Sequence, residues 1–282
     1  MISRVTKNIP ERAKAKTNDS APQSRILILG GTTEANQLAD QLSQNPTYHI
    51  TTSRAGVTTN RQKVSGNERI GGFGGIEGLC EYLEVHAIDV VIDATHPFAA
   101  TITDHAWIAC QRLEIPHLVL QRPAWKKEEN DAWIDVPDMQ AAQDYLQSLD
   151  TSLTILLTTG QKELNSFTSI TKHHFVARMI EPPAPETETK AEKQNLKVIL
   201  QRGPFSVDEE TRLIKEEKVD LLISKNSGGT GTSAKLIAAR KHNVPVLMIA
   251  RPPQPPVMII STVEDCLNWL QNHFSNKQVH KK

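Results

Sequence analysis

The chain is poor in the residues that staple small folds or ligate metals. Its 282 residues include three cysteines, Cys80, Cys110 and Cys266, far apart in sequence. They form no C-x-x-C pair and no zinc spacing, and their number is odd, so neither a disulfide framework nor a metal module is expected. Buried thiols in a reducing compartment are expected instead, which makes the chain cytoplasmic. An excess of charge of one sign is also missing: 32 basic residues stand against 32 acidic ones. No overall field favours nucleic acid or an anionic membrane, so an anionic ligand must be held by local charges. No apolar stretch approaches the length of a membrane span. Residues 1–24 lack the apolar centre of a secretory signal and read as a disordered leader.

What is present is alternation. Short apolar runs alternate with helical patterns, the signature of a parallel α/β fold. Strands are expected at Ile26–Leu29, Tyr48–Thr52, Asp89–Ala94 and His117–Leu120. After the polar stretch Lys126–Asp131 they resume at Thr154–Thr158, Phe175–Ile180, Val198–Gln201, Asp220–Ser224 and Val246–Ile249. Helices are expected at Ala35–Ser43, Glu77–Glu84, Ala99–Leu113, Met139–Leu149, Asp208–Glu217, Ser233–His242 and Val263–Phe274. The expected fold is α/β, with two Rossmann-like parallel-sheet domains and a cleft between them. The domains are placed at residues 25–125 and 126–282, the last helix being free to pack back on the first. Pro182–Asn195, proline-rich and low in apolar residues, reads as a surface insertion.

In open parallel sheets ligands bind beyond the carboxyl ends of the strands. The first such end is Gly30-Gly31-Thr32-Thr33-Glu34, running into a helix at Ala35. It matches the dinucleotide fingerprint G-x-G-x-x-G/A in part: Gly30 and Ala35 fit, and Thr32 replaces the middle glycine. Backbone N–H groups at such a turn cradle a pyrophosphate, and a Thr32 hydroxyl can bond phosphate; an ordinary tight turn is the other reading. After the second strand come Ser53 and Arg54, where NAD-binding folds carry an acid roughly 20 positions past the turn. A hydroxyl and a guanidinium suit a 2′-phosphate, so the expected cofactor is NADPH, with NADH the alternative. Gly71-Gly72-Phe73-Gly74-Gly75 follows, either a close backbone approach to the cofactor or a turn plugged by Phe73.

The third strand runs into Thr95-His96-Pro97-Phe98. His96 faces the cleft as proton donor or anion ligand, or merely caps the next helix. In the second half, Thr159-Gly160, Arg202-Gly203 and Lys225-Asn226-Ser227-Gly228-Gly229 end strands. Each is turn chemistry taken alone; together, with Arg202 and Lys225 beside glycines, they suit a polyanionic ligand.

These strings, in the order ILGGTTEANQLA, GGFGGIEGL, DATHPFAATIT, LLTTGQKEL, RGPFS and SKNSGGTGTSAKLIAARKHNVPVLMIARPP, resemble the precorrin-6A reductase family of cobalamin biosynthesis. The resemblance runs from about residue 25 to 256. It implies a two-domain enzyme that reduces one double bond of the precorrin-6A macrocycle with a nicotinamide hydride, giving precorrin-6B. Anaerobic-pathway members act on the cobalt-containing form. Implied further are cofactor contacts at Gly30–Glu34, Ser53, Arg54, Gly72–Gly75 and Thr95. Carboxylate arms of the tetrapyrrole would meet His96, Phe98, Thr159, Gly160, Arg202, Gly203 and Lys225–Gly229. His96 is the candidate acid, and no protein-bound metal is implied. A monomer or small homo-oligomer is expected. Two rivals stay open: a reductase of another anionic small molecule, and an NADP-binding sensor without turnover.

Overall fold

The structure is a computed structural model that describes residues 24–56, 63–167, 169–182 and 195–279. The expectations for the leader, for most of the Pro182–Asn195 insertion and for the C-terminal tail lie outside these residues.

The first domain is built from β1 (Ser24–Leu29), α1 (Thr33–Leu42), β2 (Tyr48–Arg54), β3 (Asn67–Ile70), α2 (Gly75–Val85), β4 (Val90–Asp93), α3 (Ala100–Leu113) and β5 (His117–Leu120). The second holds β6 (Trp133–Val136), α4 (Met139–Ser148), β7 (Thr154–Leu157), α5 (Gln161–Phe167), β8 (His174–Met179), β9 (Leu196–Leu200), α6 (Val207–Glu216), β10 (Leu221–Lys225), α7 (Ala234–Lys241) and β11 (Val246–Ile249). The chain then returns with β12 (Met258–Ile260) and α8 (Val263–Val279). Two six-stranded sheets result, ordered β12-β5-β4-β1-β2-β3 and β6-β11-β10-β7-β8-β9. Strand pairing is parallel throughout both sheets. Among the described residues no helix is long and apolar enough to cross a membrane.

Uninterrupted apolar runs make this possible, because a sheet covered by helices buries both faces of its strands. Ile26, Ile28 and Leu27, Leu29 point into separate cores on opposite faces of the first sheet. α1 presents Ala35, Leu38, Ala39 and Leu42 to one of these cores. In the second domain, Ile155, Leu157, Ile223 and Leu247 line one face while Leu156, Leu222 and Val246 line the other.

The C-terminal return was not foreseen as a strand. β12 extends the first sheet beside β5, and Cys266 and Leu270 of α8 enter the core of β1 and α1. Residues 258–279 therefore pack with the first sheet rather than the second. β12 escaped the sequence reading because it is three residues long and largely exposed on the sheet edge. β3 and β6 escaped it because neither contains an apolar run.

The chain thus crosses between sheets twice, after β5 and after β11, and one loop grips both crossings. Arg122 Nε donates to the carbonyls of Ser227 and Gly228 at 2.9 Å each. Arg251 reaches Asn226 O at 2.9 Å, Ser227 O at 3.1 Å and Arg122 O at 3.0 Å. The Asn226 amide is bonded on both sides to the Trp125 backbone, at 2.8 and 3.0 Å. Gly228, with φ +69°, must be glycine: an added Cβ would sit 2.0 Å from Pro123 O. Gly228→Ala should therefore lower unfolding stability by about 1–3 kcal/mol or more, the usual range for overpacking. Gly72→Ala should change it by less than about 0.5 kcal/mol, because an added Cβ there meets nothing within 4 Å. Urea unfolding midpoints of both variants check this, and a Gly228→Ala protein as stable as the parent would contradict the close approach.

Candidate active site

A residue that follows β4 meets the end of β10, and one that follows β1 meets the first crossing. Phe98 packs against the core of the second domain, and Lys225 Nζ lies 5.2 Å from its ring centre. Glu34, in the first turn of α1, is paired with Arg122 at 2.8 Å. The carboxyl edges of the two sheets therefore face each other, and His96 lies between them.

The β1–α1 turn has the form of an anion cradle. Gly31 has φ +131° and open space where a Cβ would be. The first N–H groups of α1 have no partner within the helix, as at any helix start. Thr32 does not play the part expected of its hydroxyl. That hydroxyl caps α1 by accepting from Ala35 N at 3.1 Å and donates its proton to Ala94 O at 2.7 Å. It has no proton left for a phosphate, and only its backbone N–H faces the turn. The Glu34 side chain is likewise directed to Arg122 rather than to the turn. Gly30 packs against β2, where an added Cβ would lie 2.9 Å from Thr52 Cγ2.

At the end of β2 the arginine expected to read a phosphate is already engaged. The Arg54 side chain is 10% exposed; it donates to Asn36 Oδ1 at 2.8 Å and pairs with Glu68 at 3.3 Å. A second guanidinium, missed in the sequence because β3 was missed, stands beside it. Arg69 donates to Ser53 Oγ at 3.2 Å and to the carbonyls of Gly71 and Gly72 at 2.6 and 2.7 Å. It also lies 3.8 Å over the Phe73 ring, which packs edge-on against Tyr82 at 5.1 Å. Phe73 is thus half-buried beside α2 as a plug of the first domain. Gly74 and Gly75 have φ +84° and +87° with open space around them, so the start of α2 remains accessible.

Thr95 is also committed, since both its N–H and its hydroxyl donate to Asp93 Oδ1, at 2.9 and 2.6 Å. His96, next in the chain, is free of such a tether. Its Nδ1 accepts the Phe98 N–H at 3.3 Å, which leaves the ring proton on Nε2. His96 itself is exposed at the cleft in the ligand-free chain. The crowding of the cleft and the charges of Arg122, Lys225, Lys235 and Arg251 push its pKa down to about 4. Ligand-free His96 is therefore a neutral imidazole at physiological pH, not the ready imidazolium that a simple acid role requires.

In the second domain the carbonyls of the expected anion loop are engaged by the chain crossings. Asn226, Ser227, Gly228 and Gly229 direct their polar atoms at Trp125, Arg122 and Arg251, and Gly229 O accepts from Trp125 Nε1 at 2.7 Å. The carbonyl side of the lysine–glycine loop packs the two chain crossings together. Lys225 is paired with Glu163 of α5. Thr159 is buried, and Gly160, with φ +95°, is exposed beside it. Arg202 and Gly203 are exposed after the outermost strand β9, two strands from β7, and Arg202 is not among the charges that act on His96. Besides Lys225, the cations that gather near His96 are Arg122, Arg251 and Lys235. Arg122 and Arg251 each follow an expected strand within two residues, so the strand-end rule applied to them would have found them. Lys235, inside α7, carries no such signal. A shallow hollow of about 360 Å³ at the amino ends of β7–β9, lined by His174, Lys197 and Glu217, lies on the opposite sheet edge. Among the described residues no cluster of potential metal ligands occurs.

Fold and site together define a two-domain, doubly wound α/β protein whose site is shared between its domains. The chain belongs to the family described as precorrin-6x reductase CbiJ/CobK, whose model matches residues 25–271. It is 43% identical over 242 residues to a precorrin-6A reductase of Rhodococcus erythropolis, covering 86% of this chain and 94% of that protein. A cobalt-precorrin-6A reductase of Priestia megaterium is 27% identical over 258 residues, covering 88% and 98%. A solved structure titled CobK precorrin-6A reductase superposes with a TM-score of 0.80 at 36% identity, covering 89% of this chain and 97% of that one.

The depressed pKa of His96 is measurable directly. In the ligand-free protein the ring resonances should titrate with a midpoint near 4, and Arg122→Ala should raise it only partly, because burial is the larger cause. A midpoint near 6.5, the ordinary histidine value, would contradict the cationic surroundings.

Proposed function

We propose that the chain is a reductase that transfers a hydride from NADPH to one double bond of precorrin-6A, giving precorrin-6B, in cobalamin biosynthesis. The observation that carries the reading is the meeting of an open helix-start cradle and a cation cluster across one histidine. The first suits a dinucleotide pyrophosphate, and the second suits a macrocycle with several carboxylates. Similarity to the metal-free reductase at 43% against 27% for the cobalt-type relative favours the metal-free substrate.

Gly31, Gly74 and Gly75 leave room for a cofactor backbone where side chains would intrude, which fits a nicotinamide dinucleotide. When bound, NADPH supplies the hydride. The start of α1 would hold it, and Ser53, Arg54 and Arg69 would meet the 2′-phosphate, Arg54 by exchanging its pairing with Glu68 for the phosphate. Addition of a hydride to a carbon–carbon double bond also requires one proton. His96 is the proposed donor. Carboxylates docking on the surrounding cations would cancel part of the repulsion that now disfavours its charged form. The domains supply position and exclude water.

Anaerobic mixing with precorrin-6A should consume NADPH at one equivalent per macrocycle. Absence of turnover with a cofactor that binds would favour the sensor reading. Arg54→Ala and Arg69→Ala should each weaken NADPH by roughly tenfold to a hundredfold while sparing NADH, as loss of a charge-assisted hydrogen bond predicts. Equal loss for both cofactors would make these arginines structural. His96→Ala should lower kcat by roughly 10²–10⁴, the usual contribution of a general acid. Normal kcat at saturating substrate would assign the proton to water.

A further inference from the structure

Lys235 is a buried charge without a counter-ion. Its relative exposure is 6%. It occupies the second position of α7, where the positive end of the helix dipole opposes a cation. Its Nζ donates to Thr158 Oγ1 at 3.1 Å, just past the carboxyl end of β7, and lies 5.6 Å from the Trp125 ring centre. The hydroxyl it meets already donates its own proton to Ile223 O at 2.9 Å. Every element packed around it offers little negative charge. β7 gives Thr158, the first crossing gives Trp125, β8 gives Arg178 and α6 gives Glu210. Glu210 is held in a two-pronged pair with Arg178, at 2.7 and 2.9 Å. The other cations near His96 are satisfied: Arg122 by Glu34, Lys225 by Glu163, and Arg251 by carbonyls and the Gln121 side chain at 2.9 Å. Among the described residues Lys235 has no carboxylate within ion-pair distance.

A buried ammonium without a partner is costly, and a protein that keeps one ordinarily supplies its counter-charge from elsewhere. Lys235 stands within electrostatic reach of His96 and is bonded to Thr158, the residue before the Thr159-Gly160 turn, whose Gly160 is exposed. We propose that Lys235 is the receptor for one carboxylate arm of the macrocycle on the second-domain side of the cleft, with Thr158 holding the ammonium in place. This rests on the reading of the substrate as a polycarboxylate tetrapyrrole. Burial, with the neighbouring Arg178, holds the free ammonium at a pKa of about 8, against an ordinary value of 10.5. A bound carboxylate favours the charged form and raises that value. Binding near pH 8.5 must then draw a proton from buffer.

The test is calorimetry of precorrin-6A binding to the full chain with NADP⁺ in place of NADPH, so that no turnover occurs. Titrations at about pH 8.5 in two buffers of different ionisation enthalpy give the proton uptake. The wild type should take up a substantial fraction of a proton. Lys235→Arg should keep the affinity within a fewfold and take up none through this position. Lys235→Met, which preserves length and apolar bulk, should weaken the macrocycle by ten- to a hundredfold, leave NADP⁺ affinity unchanged and lose the uptake. A Lys235→Met protein that binds the macrocycle as tightly as the wild type, or a Lys235→Arg protein with undiminished uptake, overturns the proposal. A wild type that binds NADP⁺ but not precorrin-6A overturns the substrate reading itself, and this inference with it.

Discussion

Two arginines closing on the carbonyls of one loop hold the two halves of this protein in register. Arg122 follows β5 and Arg251 follows β11, so each crossing between the sheets carries its own guanidinium to the Asn226–Gly228 carbonyls. Hydrogen bonds from a charged donor are about twice as strong as neutral ones, and here they tie segments more than a hundred residues apart. Two links between domains restrict rotation far more than one. The return of β12 and α8 to the first sheet makes the second link part of that sheet's core. With both crossings fixed, the carboxyl edges of the sheets face each other, and the β4–α3 turn carries His96 into the gap.

The same clamp shapes the electrostatics. A chain with no net formal charge concentrates Arg122, Lys225, Lys235 and Arg251 around one imidazole. Glu34 and Glu163 neutralise two of them, and carbonyl dipoles hold a third. The remainder is a local positive field in a crowded cleft, where attraction to an anion is stronger than at an open surface. The field adds to desolvation in holding His96 neutral, and a docked polyanion would weaken that second cause.

The sequence made much of the fold legible, and less of the site. Apolar runs four or more residues long marked the buried strands, because a parallel sheet covered on both faces admits little else. Edge strands β3 and β12 carry few buried side chains, so no run betrays them. His96 was legible because a strand end points at the cleft whatever lies opposite. The packing role of the Lys225–Gly229 carbonyls was not legible, because glycines and a lysine look alike whether they face an anion or admit a neighbouring backbone. At Gly228 an added Cβ would lie 2.0 Å from Pro123 O, so this glycine admits the neighbouring backbone. Thr32 and Thr95 were misread for a related reason, since the acceptors for their hydroxyls, Ala94 O and Asp93, depend on tertiary contact or on a turn geometry the sequence does not state. Lys235 lay hidden because burial of a helical lysine depends on what packs over it.

The central claim is that the two domains hold two different ligands at once, dinucleotide on the first and macrocycle on the second, meeting at His96. Equilibrium dialysis of precorrin-6A against the protein, with and without saturating NADP⁺, tests it most directly. The account predicts one macrocycle bound per chain under both conditions, with an affinity that the oxidised cofactor does not abolish. Mutually exclusive binding, in which saturating NADP⁺ displaces the macrocycle, would contradict it.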